Sequence, residues 1–221
     1  MVAPILMPTD PTALLTLAQW LSPAFPVGAF SYSHGLEWAV DIGDVTDAPA
    51  FQEWLTAVLQ DGAGRNDAIL LVAAYQAETD TLPDIDALAR ALAPSRERLL
   101  ETGQQGAAFA RTAGAIWPVA LQDLTYPVAV GAAARVMALP LADTLVFYLH
   151  GFASNLTSAA TRLIPLGQTD GQAVLATVAP LCAAIAAQAQ TQTIDDLGAS
   201  TFLADIASMK HETQYSRLFQ S

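Results

Sequence analysis

Apolar side chains recur at intervals of three and four residues along most of the chain, which places them on one face of an α-helix. After Asp47, for example, the apolar positions are Phe51, Trp54, Leu55, Val58 and Leu59. The same spacing predicts further helices at about 11–21, 66–73, 85–92, 95–116, 126–139, 141–163, 170–191 and 201–211. Period-two alternation with hairpin turn residues is absent, so the pattern predicts an all-α fold.

Residues that begin and end helices support these limits. Asp10, Asp47, Asn66 and Ser95 stand where N-caps are expected, and proline at 118 and 140 forces breaks. Short linkers and the absence of repeats predict one domain over 1–221, a bundle of about nine to ten helices around a central hydrophobic helix at 141–163. Residues 1–9 and 212–221 are expected to be flexible until a partner binds.

Composition adds an expectation about surfaces. Hydrophobic residues make up 53% of the chain and charged residues only 14%, so we expect a partner or a second copy to cover apolar surface. The net charge of −12, from 9 basic and 21 acidic residues, excludes runs of phosphate contacts and therefore predicts no nucleic-acid partner. An anionic membrane surface is excluded for the same reason.

Uncharged stretches at 144–161 and 171–194 carry too many polar or alanine residues for a membrane span, and the start lacks the pattern of a signal peptide. These observations predict a soluble cytoplasmic protein.

The side chains that could carry chemistry are few. There is one cysteine, and the three histidines stand more than sixty residues apart. His34 and Glu37 could share a helix face, but two ligands make a weak metal site. The SYSH stretch at 31–34 lacks the geometry of a catalytic triad, and LGQTDGQ at 166–172 lacks the lysine of a phosphate-binding loop. We therefore predict no cofactor, no intrinsic metal site and no enzymatic activity.

The irregular stretch SPAFPVGAFSYSHGLEWAV, at 22–40, has the composition of a contact surface. Its prolines and glycines specify a fixed, non-helical path. We expect that path to present Phe25, Phe30 and Tyr32 as a rigid aromatic surface. His34 and Glu37 are then expected to begin a helix on the same side.

The C-terminal stretch MKHETQYSRLFQS, at 209–221, is richer in interface residues than a frayed end usually is. Aromatic residues and arginine anchor protein interfaces, and here they occur together as Tyr215, Arg217, Leu218 and Phe219. The stretch either packs on its own domain or becomes ordered on a partner, and the second alternative is favoured.

Three motifs together resemble the UreF family of urease accessory proteins: LSPAFPVGAFSYSHGLE (21–37), SAATRLIPLGQTDGQ (158–172) and HETQYSRLF (211–219). The resemblance implies an all-α homodimer and a non-enzymatic chaperone. It implies partnership with the accessory protein UreD (also called UreH), recruitment of the GTPase UreG, and delivery of nickel to apo-urease.

Within that resemblance, Phe30 and Arg217 match motif positions expected to form the surface that meets UreD/UreH. Glu101 matches a glutamate of the middle helix, and Arg162 lies in a segment expected to be structural. Two alternatives stay open. Either Arg217 or Arg65 acts on GTP hydrolysis as an arginine finger, or an interface His or Glu carries nickel directly.

Overall fold

The structure, a computed structural model, describes residues 10–221, in which helices are the only regular secondary structure. The ten α-helices are α1 (Pro11–Trp20), α2 (Leu36–Asp41), α3 (Ala48–Asp61), α4 (Ala63–Gln76), α5 (Leu82–Ala91), α6 (Arg96–Ile116), α7 (Tyr126–Val136), α8 (Leu141–Leu163), α9 (Gln168–Ala189) and α10 (Phe202–His211). Short 3₁₀ turns lie at Ala29–Ser31 and Ile194–Asp196. Within 10–221 there is no β-strand, which confirms the all-α prediction. The prediction about 1–9 lies outside the described residues.

The predicted caps are confirmed at three helix starts. The side chains of Asp10, Asp47 and Ser95 accept first-turn N–H groups at 2.9, 2.9 and 3.1 Å. The prediction for Asn66 is wrong, because α4 begins earlier and this residue lies inside it. Its side chain instead accepts the N–H of Gly198 at 3.1 Å and ties α4 to the segment before α10.

Helix α8 occupies the centre of the bundle, as its hydrophobicity predicts. It packs against α1, α2, α3, α4, α7 and α9. Helix α7 is the most completely enclosed, with every residue from 127 to 134 buried. Its approach to α4 is close at Gly131, where an added Cβ would lie 2.4 Å from the carbonyl oxygen of Leu71. Glycine is therefore required at this crossing.

Helix α9 is long and apolar enough to cross a membrane, with a mean hydropathy of 1.6 over its most apolar window. In the fold it packs against α3, α4 and α8 and buries one face, including Val174, Val178, Cys182 and Ile185. The opposite face consists mainly of alanine, threonine and glutamine. Helix α9 is thus one wall of the bundle.

The two ends of the described chain meet at one side of the bundle. Helix α10 packs against α2 and α6. The contact with Gly35 is so close that an added Cβ would lie 2.5 Å from the backbone nitrogen of Ser208. Residues 212–221, called here the C-terminal segment, then run back along residues 22–37, called here the N-terminal segment. This meeting creates the candidate site.

Candidate partner-binding site

The N-terminal segment follows an irregular path because three of its residues adopt a positive φ. Gly28 has φ 76° and Gly35 has φ 83°, both in the left-handed region that glycine favours. His34, which lies between them, has φ 57°, an uncommon conformation for a residue with a side chain. The path is therefore determined by backbone geometry, as the glycines and prolines predict.

This path turns two of the three predicted surface aromatics into the core. Phe25 packs against Phe109 of α6, with ring centroids 5.6 Å apart. The buried Tyr32 donates its hydroxyl to the side-chain oxygen of Gln104 at 2.6 Å. Only Phe30 is exposed, at 64%. The expected aromatic surface thus differs from the observed one because α6 supplies buried partners that the local pattern does not reveal.

The C-terminal segment pairs with the N-terminal segment through the backbone. The N–H of Gln220 donates to the carbonyl of Ser31, and the N–H of Ser33 donates to the carbonyl of Ser221, both at 2.8 Å. The Ser221 hydroxyl continues inward and donates to Glu101 of α6 at 2.8 Å. The structure therefore shows the first of the two packing alternatives, with this segment lying on its own domain. Its flexibility before a partner binds stays a prediction.

Glu37 holds the C-terminal segment from α2. Its carboxylate accepts the backbone N–H groups of Leu218 and Phe219 at 2.6 and 3.0 Å, and its Oε2 lies 3.0 Å from Nε2 of His211. Glu37 is buried, so these three donors replace the water that a carboxylate requires. Glu37 was predicted to face a partner protein, but its carboxylate instead binds groups of its own chain.

His211 extends this contact to α6. Its side chain is fully buried, and its Nδ1 lies 2.6 Å from Oε2 of Glu97. The other oxygen of Glu97 accepts from Nη1 of Arg217, also at 2.6 Å. Glu37, His211, Glu97 and Arg217 form a continuous series of contacts, called here the carboxylate–histidine chain. It joins α2, α6, α10 and the C-terminal segment.

Arg162 of α8 joins the exposed aromatic to the C-terminal segment. Its Nη2 donates to the carbonyl oxygen of Phe30 at 2.6 Å. Its guanidinium carbon lies 4.2 Å from the ring centroid of Phe219, a cation–π contact. Phe219 is 4% exposed. Arg162 therefore orients both the loop that presents Phe30 and the ring that anchors the segment.

A buried ionic cluster lies beneath the site. Arg98 and Glu101 of α6 form an ion pair, and Nε2 of His34 lies 2.7 Å from Arg98 and 2.8 Å from Glu101. Burial alone would raise the pKa of Glu101, but Arg98 and His34 more than reverse this and lower it to about 2. Burial lowers the pKa of His34, and Arg98 lowers it further. Glu101 acts in the opposite sense and raises it, so Nε2 of His34 lies between a hydrogen-bond donor and an acceptor. The buried Nδ1 of His34 has no partner.

Asp67 of α4 faces the same cluster across a cavity of about 40 Å³, which is large enough for water. Tyr148 donates its hydroxyl to Asp67 at 2.8 Å. Burial nevertheless raises the pKa of Asp67 to about 6, because Arg98 and this hydrogen bond only partly offset the loss of solvent. The cluster therefore lies directly beneath the N-terminal segment, since Tyr32 and His34 line the same cavity.

The predicted site residues thus form two sets, one directed into the domain and one at the surface. Phe25, Tyr32, His34, Glu37 and Phe219 point inward, whereas Phe30, Tyr215, Arg217 and Leu218 lie at the surface. Tyr215 is fully exposed and Leu218 is 74% exposed. Sequence reasoning missed Glu97 and Arg98, whose only signal was the charged first turn of α6. Among residues 10–221, no three His, Cys, Asp or Glu side chains are placed to hold one metal ion.

Comparison with known proteins places this architecture in context. A family model for UreF matches residues 45–179. The urease accessory protein UreF of Roseobacter denitrificans is 55% identical over 217 residues, which is 98% of this chain and 97% of that protein. UreF proteins of Ruegeria pomeroyi and Bradyrhizobium diazoefficiens are 54% and 52% identical, over 94% and 96% of this chain and 96% and 93% of their own lengths. These likenesses extend beyond the matched core to nearly the whole chain.

Proposed function

This chain belongs to the UreF family of urease accessory proteins, and from that premise we propose that it is the adaptor of a urease-maturation complex. It acts as a cytoplasmic homodimer without enzymatic activity. Together with UreD/UreH it recruits the GTPase UreG, and the assembly inserts nickel into apo-urease in a GTP-dependent reaction. The two segments described above form the surface that UreD/UreH binds.

The observation that carries this proposal is the joining of two distant motifs. Residues 31–33 and 220–221 share backbone hydrogen bonds although nearly the whole chain separates them. The inward side chains of the two segments pack within the domain. The outward side chains, Phe30, Tyr215 and Leu218, are apolar or aromatic and are mostly exposed to solvent. A rigid base with exposed aromatic residues is the arrangement from which a protein interface gains binding energy.

The contacts of the two candidate finger arginines favour the adaptor over a direct role in GTP hydrolysis. Arg217 is paired with Glu97 at 2.6 Å. Arg65 donates to the carbonyl oxygen of Asp196 at 2.7 Å. Either side chain would have to leave its partner to enter another protein's nucleotide site. A change in the rate of GTP hydrolysis without a change in assembly would instead support the finger.

The test is co-purification of the chain with UreD/UreH and UreG. Phe30→Ala and Arg217→Ala are expected to weaken capture of UreD/UreH by roughly tenfold or more, since each removes an interface anchor. Capture of UreG is expected to fall as well, because the chain and UreD/UreH recruit it together. Helix content should stay unchanged for Phe30→Ala, because this side chain is mostly exposed.

Two variants serve as matched controls. Arg135→Ala removes a surface ion pair with Glu78 whose arginine is 40% exposed, against 38% for Arg217. Ile194→Ala removes an exposed apolar side chain from a 3₁₀ turn outside the site. Both controls should bind as the wild type does. Normal capture by Phe30→Ala and Arg217→Ala would refute the proposed surface.

A further inference from the structure

We propose that His211 is held as an imidazolium, and that its second proton latches the C-terminal segment onto the domain. This inference goes beyond the proposed function. It concerns the docking of the segment in the isolated chain, and it stands whichever partner the surface binds. His211 is a positioning residue in this role.

The first argument is hydrogen-bond geometry. Nδ1 of His211 lies 2.6 Å from a carboxylate oxygen of Glu97, and Nε2 lies 3.0 Å from a carboxylate oxygen of Glu37. A carboxylate can only accept, so each short contact requires an N–H on the histidine side. A neutral imidazole has one N–H and would point a lone pair at the other carboxylate. Both glutamates also accept other donors, Glu37 from two backbone N–H groups and Glu97 from Arg217, as ionised carboxylates do. With both glutamates ionised, only the imidazolium satisfies both contacts.

The second argument is charge balance in a place that water does not reach. His211 has no exposed surface. The charged groups that face it are Glu37 from α2 and Glu97 from α6, and Arg217 of the C-terminal segment reaches it through Glu97. Two carboxylates, one guanidinium and one imidazolium sum to zero. A neutral histidine would leave one uncompensated negative charge at a largely buried position, which is costly.

The neighbours on its own helix do not supply that compensation. Lys210 lies next to His211 in sequence and is exposed. Glu212 is directed elsewhere, because its carboxylate accepts the backbone N–H of Arg96 at 2.7 Å. The proton on His211 is therefore the group that neutralises the pair of carboxylates.

The other buried histidine supports this reading by contrast. The only partnered nitrogen of His34, Nε2, lies between the guanidinium of Arg98 and the carboxylate of Glu101. Burial and then Arg98 lower the pKa of His34, although Glu101 acts to raise it. The two histidines therefore differ in their surroundings. Nε2 of His34 faces a guanidinium as well as a carboxylate, whereas each ring nitrogen of His211 faces a carboxylate.

The consequence for the segment follows from the second role of Glu37. The carboxylate oxygen that meets His211 also accepts the N–H of Phe219, and the other oxygen accepts the N–H of Leu218. If His211 loses the proton on Nε2, Glu37 faces the lone pair of that nitrogen. The carboxylate that accepts from Leu218 and Phe219 is then held less firmly, so docking of the C-terminal segment weakens. Docking that requires a bound proton is favoured at low pH and weakens as the pH rises.

The experiment uses the isolated full chain, with nitrogen-15 labelling of histidine and of the backbone. Two-bond nitrogen–proton spectra report whether His211 carries one or two ring protons in the docked state. Amide hydrogen exchange of Leu218 and Phe219, corrected for the intrinsic rate at each pH, reports docking. In the wild type we expect two ring protons at pH 6. Protection should fall by up to roughly tenfold per pH unit over the range in which the docked state still holds the second proton and the undocked state has lost it.

His211→Gln is the informative variant, because its amide can donate to only one of the two carboxylates and does not titrate. We expect it to exchange Leu218 and Phe219 roughly tenfold faster than the wild type at pH 6, with little dependence on pH. A neutral His211 in the docked wild-type chain would overturn the proposal, even if the variant failed to fold. The same pH dependence in the variant as in the wild type would also overturn it.

Discussion

Two carboxylates near the buried ionic cluster, Glu101 and Asp67, have pKa values shifted in opposite directions. Glu101 is a carboxylate with 2% of its side chain exposed, and its pKa is about 2 because Arg98 and His34 outweigh the effect of burial. Asp67 is less completely buried, yet the loss of solvent raises its pKa to about 6. The difference is proximity, because Glu101 pairs directly with the guanidinium whereas Asp67 interacts with it across the cavity. Burial alone therefore does not determine the charge state.

Glu101→Gln tests this assignment. The variant leaves Arg98 buried without its partner, so we expect the free energy of unfolding to fall by about 3–5 kcal/mol at pH 7. The pKa of Glu101 is lowered in the fold from 4.5 to about 2. Its stabilising effect is thus fully present above pH 4.5 and is lost as the pH falls toward 2. Urea titrations should show the gap between variant and wild type narrowing below pH 4.5.

Glu53→Gln on α3 provides the control, because Glu53 is exposed. Its free energy of unfolding should stay within about 0.5 kcal/mol of the wild type, as is usual at surface positions. An equal effect of the two substitutions would mean that Glu101 does not stabilise Arg98.

At the scale of elements, the candidate site depends on how closely α10 approaches the loop before α2. Ser208 of α10 is buried and shares a hydrogen bond with Ser95 at 2.6 Å, which joins α10 to the start of α6. On the other side, Gly35 leaves no room for a side chain. Helix α10 positions the C-terminal segment that follows it, so displacement of the helix should disturb the whole site.

Gly35→Ala is expected to lower the free energy of unfolding by about 2–5 kcal/mol, the sum of a left-handed backbone penalty and overpacking. The added Cβ would lie 2.5 Å from a backbone nitrogen, and φ is +83°. Chemical denaturation measures the loss, and limited proteolysis should show faster cleavage after 211 as the segment is released.

Gly28→Ala separates the two contributions to that loss. Gly28 also has a positive φ, +76°, but nothing lies within 4 Å of its added Cβ. This variant should show only the backbone penalty, about 1–2 kcal/mol, and keep the C-terminal segment protected. Equal losses for the two variants would show that the close approach of α10 contributes nothing.

At the scale of the whole molecule, the described bundle exposes several large apolar side chains, as the small number of charged residues predicts. Phe202 and Leu203 of α10 are 69% and 79% exposed, and Leu15 of α1 is 71% exposed. Only 14% of the residues are charged. Surface of this kind is normally covered by another protein chain, as the proposed dimer and its proposed complex would require.

The dimer is tested by the mass of the isolated chain in solution. With 23.2 kDa for each chain, light scattering after size exclusion at micromolar concentration should give 2 × 23.2 = 46.4 kDa. A mass of 23.2 kDa at that concentration would contradict the homodimer. Because the measurement uses no partner protein, it does not depend on the proposed UreD/UreH surface.

Local sequence patterns were sufficient to predict where the long helices lie and to which family the chain belongs. Spacing of apolar residues indicated every long helix, and Asp10, Asp47 and Ser95 marked helix starts, because periodicity and capping depend on neighbours within four residues. The three motifs indicated the family without any coordinates. The one misassigned cap is Asn66, because α4 already begins at Ala63 and its side chain instead accepts from Gly198, 132 residues away.

Only the tertiary structure decided which motif residues face outward and which are interior. Glu37 contacts Leu218 and Phe219 across 181 and 182 positions of sequence, and Phe25 and Tyr32 are buried because α6 receives them. A sequence pattern records that a side chain is aromatic or charged, but burial and charge state depend on what the fold brings beside it. The sequence by itself therefore determined the helices and the family, and the packing of the two ends of the chain determined the site.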